Sequence, residues 1–178
     1  MRALIRSARS RGSQTFVLND PWQVALFAPD AAEVMLWAGP FCNLANPLAL
    51  ETAADLGFKG AIVSPELASD DFLKLPRFSP LPLGIVIGGN WPLCVARVIS
   101  AELQQQAPLR SPKGEEAWWV RYGSLYWVFP NWELDLGGQT EMLRRAGYRL
   151  FVRLIEPLPP TLKRKHRPGL WNWEGELR

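Results

Sequence analysis

The sequence predicts an α/β fold in which parallel strands alternate with helices. Short apolar runs that do not alternate with polar residues recur along the chain, which is typical of strands covered on both faces. Segments with helical spacing lie between these runs, and several close on a glycine, a residue that suits a helix C-terminus. A chain of 178 residues, 48% of them hydrophobic, is long enough to bury a core of its own.

The N-terminal elements follow from local signals. Apolar residues at helical spacing precede Gly12, and a run rich in β-branched and aromatic residues closes at Asn19. Asp20 and Pro21 form a helix opening, in which a capping side chain is followed by a first-turn proline. These signals predict a helix over 2–10, a strand over 15–20, a helix over 21–28 and a strand over 33–39.

The middle and C-terminal parts repeat the same pattern. The segment LALETAADLG places apolar side chains on one face and ends at Gly57, three residues before the strand run GAIVS begins. A further helical segment, SPELASDDFLKL, is weakened at Pro76, and Thr140 is a capping type before another helix. The predicted elements are a helix over 48–57, a strand over 60–64, a helix over 64–75, a strand over 81–89, a helix over 137–148 and a strand over 149–157.

The pattern changes between about residues 106 and 133. The segment AWWVRYGSLYWVFPN, residues 117–131, predicts a β-hairpin with its turn at 122–124 and with aromatic side chains packed across the strands. From residue 158 the composition becomes proline-rich and basic. The predicted organisation is a single barrel-like domain over 1–157, with the hairpin as an excursion, and a basic tail over 158–178.

The number of strands limits the architecture. About five strands are predicted in the alternating part, whereas a closed eight-stranded barrel takes about 250 residues. The first element is a helix that leads into a strand, so the chain begins partway through the alternation. Two architectures stay open at this point: an open parallel sheet, and part of a barrel whose other units lie elsewhere.

Charge and cysteine content restrict partners and location. The net charge of +3 comes largely from the N-terminal arginines and the run LKRKHR at 162–167, which is a candidate nucleic-acid contact or a solvated terminal segment. Cys42 and Cys94 lack the short paired spacing of a zinc or redox motif, which predicts reduced thiols in a cytoplasmic protein. No apolar run approaches the roughly 18 residues of a spanning helix, so no membrane partner is predicted.

Candidate functional residues lie where the predicted strands end, because loops at the carboxyl ends of parallel strands converge on ligands. Glu66 is the candidate acid or base at this edge. The candidate binding groups are Asn43, Asn46, Ser64, Asn90, Cys94 and Arg97. Other residues at predicted strand ends are Asn19, Asp20, Cys42, Gly88, Gly89, Arg153 and Glu156.

Each of these residues also has a structural interpretation. Ser64 is a helix-capping type, and a carboxylate at Glu66 would be favoured in the first turn of a helix that follows it. Asn43 and Asn46 are turn formers. Cys94 has apolar neighbours and is typical of a small buried hydrophobe.

Common catalytic sets are absent from the sequence. The one histidine, His166, lies in the basic tail, so neither a histidine-assisted nucleophile nor a histidine-based metal site is predicted. The phosphate-binding glycine patterns GxGxxG and GxxxxGKS/T do not occur.

Two segments, GPFCNLANPLALETAADLGFKGAIVSPEL and LPLGIVIGGNWPLCVARV, resemble the collagenase-like peptidases, peptidase family U32. The resemblance extends through the hairpin to the closing GLWNWEGEL and covers most of the chain. The features that match are a strand followed by Asn43 and Asn46, a helix that closes in Leu56 and Gly57, a strand that runs into Ser64, Pro65, Glu66 and Leu67, and a segment with Pro92, Leu93, Cys94 and Arg97.

The resemblance implies a TIM-type (β/α) barrel, with this chain as its C-terminal half, and a hydrolase that acts on peptides or proteins. Some relatives bind an iron–sulfur cluster through four cysteines, and Cys94 lies near the first of those positions. No cysteine follows Cys94 in this chain, so neither that cluster nor another cofactor is predicted.

Three functions stay open at this level. The first is a peptidase in which Glu66 does acid or base work and Asn43 and Asn90 position the substrate. The second is an RNA-associated accessory protein of the same family that binds through its basic tail. The third is a non-catalytic half-barrel that needs the missing half, or another chain, at its exposed strand edges.

Overall fold

The computed structural model describes residues 1–28, 32–100, 108–112, 114–157, 159 and 162–165. These residues form two compact units. Unit 1 comprises Met1–Val86 and Gly138–Val152, and unit 2 comprises Ile87–Gly137 with the described residues from Arg153 to 165.

The helices and strands alternate in the first half of the chain and give way to strands in the second. The order is α1 (Arg2–Ser10), β1 (Thr15–Leu18), β2 (Met35–Ala38), α2 (Pro47–Asp55), β3 (Gly60–Val63), α3 (Ser69–Lys74), β4 (Leu83–Gly89), β5 (Cys94–Ala96), β6 (Leu109–Arg110), β7 (Glu116–Tyr122), β8 (Leu125–Pro130), β9 (Leu134–Asp135), α4 (Thr140–Ala146) and β10 (Leu150–Leu154). Short 3₁₀ helices lie at Pro21–Leu26, Pro40–Cys42, Leu75–Phe78 and Gly137–Gln139.

The main sheet has the strand order β1-β2-β3-β4-β10, with β9 beside β4. Strands β1, β2, β3 and β4 are parallel neighbours, and β9 runs antiparallel to β4. Parallel strands connected through helices make a partial α/β barrel, and the sequence prediction is confirmed at that level.

Burial explains why the central strands form. All four residues of β3 are buried, and in β4 only Ile87 is partly exposed, so apolar runs without alternation correctly predicted strands covered on both faces. The same expectation is wrong for β1 and β2, where Val17 is 48% and Met35 is 49% exposed. For β1 the reason is position, because β1 is an end strand of the described sheet and α1 buries none of its residues.

Two predicted helices differ from those in the structure. The helix expected over 21–28 is the 3₁₀ helix Pro21–Leu26, and Asp20 makes no side-chain cap to it. The helix expected over 64–75 begins only at Ser69. Pro65 disfavours helical backbone at the residue before it, and the Ser64 hydroxyl accepts the Glu66 N–H at 3.3 Å, so a turn replaces the first part of the predicted helix.

The remaining differences lie near the C-terminal part. Thr140 is the first residue of α4, and the capping position falls on Gln139, which makes no side-chain cap. Residues 162–165 of the predicted tail lie on unit 2, where Leu162 is buried against Trp118 and Phe129. The rest of the basic tail from His166 onward, including the last two tryptophans, lies outside the described residues.

Unit 2 contains a four-stranded antiparallel sheet in the order β5-β8-β7-β6. Strands β7 and β8 pair from Ala117 and Pro130 to Tyr122 and Leu125, and the chain turns at residues 123–124. Across this pair the rings of Trp118 and Phe129 stack with their centres 4.7 Å apart. The aromatic residues of the segment therefore stabilise the sheet by cross-strand packing.

Within the described part of the chain, no helix has the length and apolar character needed to cross a membrane.

Candidate functional site

The carboxyl ends of β1, β2 and β3 are tied together in unit 1. The Cys42 thiol donates a hydrogen bond to the carbonyl of Leu18, with sulfur and oxygen 3.2 Å apart. The backbone N–H of Ser64 donates to the carbonyl of Leu44 at 3.0 Å. The loops that follow β2 and β3 are therefore neighbours at one edge of the sheet, as parallel strands require.

Asn43 and Asn46 both shape the loop after β2. Asn43 ends the 3₁₀ helix Pro40–Cys42 with a left-handed φ of 52°, a conformation that asparagine tolerates better than most residues. The Asn46 side-chain oxygen accepts the N–H of Ala49 at 2.9 Å and caps α2, with Pro47 as the first helical residue. Both side chains are exposed, and Asn46 has a defined structural role.

Ser64 and Glu66 lie in the loop after β3. Ser64 is only 1% exposed, and its hydroxyl is part of the tight turn that also involves the Glu66 N–H. Glu66 is exposed at the same edge as Asn43. The idea that a helix dipole stabilises the Glu66 carboxylate is wrong, since α3 begins three residues later at Ser69.

The other three predicted binding residues lie in unit 2. Asn90 is 4% exposed and joins the ends of β4 and β10: its N–H donates to Leu154 O at 2.9 Å, and its side-chain oxygen accepts the Glu156 N–H at 3.2 Å. Cys94 lies in β5, opposite Val128 of β8, and is exposed rather than buried as its apolar neighbours indicated. Arg97 is exposed just beyond β5.

One polar pair in unit 2 was not predicted from the sequence. The Tyr122 hydroxyl, at the end of β7, donates a hydrogen bond to the Glu156 carboxylate just beyond β10. That bond, together with burial and the carboxylate charge, raises the pKa of Tyr122 to about 12. Since Glu156 also donates its N–H to Asn90, three strand ends meet here. The partners are 34 residues apart, and no local pattern in the sequence connects them.

Gly88 and Gly89 serve packing within unit 2. A Cβ on Gly88 would lie 2.7 Å from Nη1 of Arg153, and a Cβ on Gly89 would overlap the carbonyl oxygen of Leu154. Gly89 also has a φ of 100°, which side chains rarely adopt. These glycines allow the end of β10 to approach β4, and the space beside them is already filled.

The described thiols and carboxylates were compared with the requirements of a metal site and of a reactive thiol. Among the described residues, no three His, Cys, Asp or Glu side chains are grouped so that they could hold a metal ion. Both cysteines are free thiols. Burial raises the pKa of Cys42, which disfavours the reactive thiolate.

The structure thus distributes the predicted residues over two places. It brings Asn43, Asn46, Ser64 and Glu66 onto adjoining loops of unit 1, whereas Asn90, Cys94 and Arg97 belong to unit 2. Comparison of the chain with models of protein families, with curated proteins and with solved structures gave no match.

Proposed function

We propose that this chain is half of a TIM-type barrel of the collagenase-like peptidase kind and that it acts with strands supplied by another polypeptide. The observation that supports this proposal is the open edge of β1. Strand β1 pairs with β2, and no other strand in the described ranges pairs with its opposite side. Unpaired N–H and C=O groups along such an edge are a template on which a further strand can add.

The hydrogen bonds of β1 identify the groups at this edge. The Leu18 carbonyl accepts the N–H of Gly39 at 2.7 Å, so the backbone groups of Leu18 are directed toward β2. Successive residues of a strand direct their backbone groups to opposite sides, which leaves those of Thr15 and Val17 on the outer edge. The Val17 side chain is half exposed and offers apolar surface to an added strand.

The purified chain tests this proposal with a second copy as the source of the added strand. We expect the wild-type chain to self-associate with rising concentration in light scattering. Val17→Pro removes the outward N–H without touching a bond to β2, so this variant should stay monomeric. Val17→Thr keeps the N–H and the β-branched shape and is the matched control, which should associate like the wild type.

Two results would contradict the half-barrel proposal. One is a wild-type chain that stays monomeric and unfolds in a single cooperative transition, because its sheet is then complete. The other is a Val17→Pro chain that has native circular dichroism and associates as strongly as the control. A Val17→Lys variant, which places a charge on the edge, replaces Val17→Pro if proline prevents folding.

Peptide binding and hydrolysis at the edge formed by the β2 and β3 loops is the second candidate. It is supported by the bond between Ser64 and Leu44, which holds two loops with exposed polar side chains, Asn43 and Glu66, next to each other. In this candidate Glu66 does the acid or base work and Asn43 positions the peptide. The remaining groups come from the strands that complete the barrel.

Denatured collagen is the substrate with which to test the second candidate, using the associated form of the chain. We expect Glu66→Gln to abolish cleavage while peptide binding persists, because the amide keeps the shape of the side chain but cannot transfer a proton. Glu51→Gln is the control, since Glu51 is an exposed carboxylate on α2. Equal cleavage by the two variants would eliminate Glu66 as the acid or base and leave the half-barrel proposal standing.

A further inference from the structure

An open cavity in unit 1 lies beside α2, and two of its lining residues, Leu48 and Leu56, are exposed. Its volume is about 390 Å³, and its walls include Ala38 of β2, Ala49 and Ala53 of α2, and Phe58 just beyond that helix. This volume lies within the range of roughly 300–1,000 Å³ that is usual for small-molecule sites. It is also well above the roughly 150 Å³ of an apolar cavity that takes up benzene.

Three polar side-chain atoms in the wall already have partners inside the protein. The Cys42 thiol donates to Leu18 O at 3.2 Å, the Thr52 hydroxyl donates to Leu48 O at 2.9 Å, and the Asn46 side-chain oxygen accepts the Ala49 N–H at 2.9 Å. Among the residues that the structure describes, no charged side chain lines the cavity. An anion or a cation would lose its hydration there without gaining an opposite charge.

The hydrogen bonds that occupy the polar atoms of the wall also favour a small molecule over a polypeptide as the ligand. A peptide or a second copy of the chain would bring backbone N–H and C=O groups into contact with the wall, and each one left without a partner costs free energy. A compact hydrocarbon has no such groups. The wall therefore matches an uncharged apolar molecule better than a polypeptide segment.

We propose that this cavity, hereafter the α2 cavity, binds a small uncharged hydrocarbon-like molecule, with Cys42 at its wall. The inference is independent of the half-barrel and peptidase proposals, because it uses neither the outer edge of β1 nor the side chains of Asn43 and Glu66. Cys42 supplies the reporter for a test. It is one of only two cysteines in the chain, so a Cys94→Ser chain has a single thiol, and a ligand in the cavity should shield it from alkylation.

The first experiment measures the alkylation of Cys42 by iodoacetamide in the Cys94→Ser chain, with mass spectrometry as the readout. Naphthalene is the probe and 2-naphthoate, the same ring system with a carboxylate, is its matched control. At about ten times its Kd, naphthalene should slow alkylation about tenfold and raise the thermal unfolding midpoint, because it binds only the folded chain. The naphthoate should do neither.

Two variants test whether naphthalene protects Cys42 by binding in the α2 cavity. Ala49→Phe fills the cavity and should abolish protection by naphthalene, whereas Glu51→Phe adds the same ring on the exposed face of α2 and should preserve it. Absence of protection by naphthalene, or equal protection by both probes, would overturn the proposal, and this comparison needs no variant of the cavity. Protection that persists in a folded Ala49→Phe chain, or that rises with protein concentration alone, would also overturn it.

Discussion

Gly12 and Gly89 have similar backbone angles and very different surroundings. Their φ values are 90° and 100°, but a Cβ on Gly12 would meet no atom within 4 Å, whereas one on Gly89 would overlap the Leu154 carbonyl. Gly12→Ala should therefore cost only the strain of left-handed backbone, about 1–2 kcal/mol. Gly89→Ala should lower the free energy of unfolding by clearly more than Gly12→Ala, since the Leu154 backbone cannot move aside as a side chain can. Urea unfolding followed by tryptophan fluorescence measures both, and equal losses would contradict the packing role of Gly89.

Tyr122 gives a pH dependence that follows from its bond to Glu156. The folded-state pKa is raised to about 12, above the value of about 10 expected for an unfolded chain. The bond therefore contributes stability below about pH 10, and this contribution is lost as the pH rises through about 12. Glu156→Gln should lower the pKa of Tyr122 in a tyrosinate absorbance titration, with Tyr122→Phe to assign the transition. An unchanged titration in Glu156→Gln would show that the carboxylate does not set the Tyr122 pKa.

At the scale of single residues, the sequence predicts roles that depend on neighbours along the chain. The turn-forming tendency of Asn43 is such a role, and its left-handed φ confirms it. Asn46, also predicted as a turn former, caps α2 instead. The Tyr122–Glu156 pair could not be predicted in this way, because it exists only once β7 and β10 bring their ends together. The exposure of Cys94 also depends on tertiary structure, so its apolar neighbours misled the prediction.

Helix α2 offers a test of a structural role against a binding role. Asn46→Ala removes the cap and should lower the free energy of unfolding by about 1 kcal/mol. Asn46→Asp keeps an oxygen that accepts the Ala49 N–H and adds a charge favoured at a helix N-terminus, so it should match the wild type. Urea unfolding measures both variants. If Asn46→Ala were as stable as the wild type, the cap would be unimportant and a binding role would gain weight.

Whole elements were predictable where one physical effect dominates. Strand β3 is buried throughout and β4 at every residue but Ile87, and their unbroken apolar runs are sufficient to identify them. Around Pro65 two effects compete, since the acidic and apolar residues that follow it favour a helix while the Ser64 turn and the proline delay it. The sequence pattern correctly predicted that α3 exists, but it placed the start of the helix five residues too early, at residue 64 rather than at Ser69.

The charge of the whole molecule leads to a prediction about RNA. Lys163 and Lys165 are exposed, whereas Arg164 pairs with Glu133 at 2.6 Å. If the chain binds single-stranded RNA through this run, replacing both lysines with alanine should weaken binding and reduce the slope of log K against log salt by about 1.4. Glu133→Gln frees the charge of Arg164 and should strengthen binding. Filter binding of a homopolymer over a salt series measures both effects, and an unchanged salt slope in the double variant would exclude this run as the contact.

At the same scale, the sequence predicted the parallel arrangement but not how its residues divide between two compact units. The boundary passes through β4 and β10, so Asn90 belongs with Glu156 and Tyr122 rather than with the loops after β2 and β3. A list of strand ends treats all such residues as equivalent. Distances along the chain do not reveal which ends share a unit.

Trp37 and Gly60 are partners in neighbouring strands of the parallel sheet, and the indole ring occupies the space that a side chain on Gly60 would need. The size of the residue at position 37 therefore limits the size of the residue at position 60, and the reverse also holds. A homologue with alanine or valine at position 60 should have a smaller residue at position 37, and neither change should be tolerated alone. Evolution can then alter this part of the sheet only through paired substitutions, which makes the two sites a place to look for covariation.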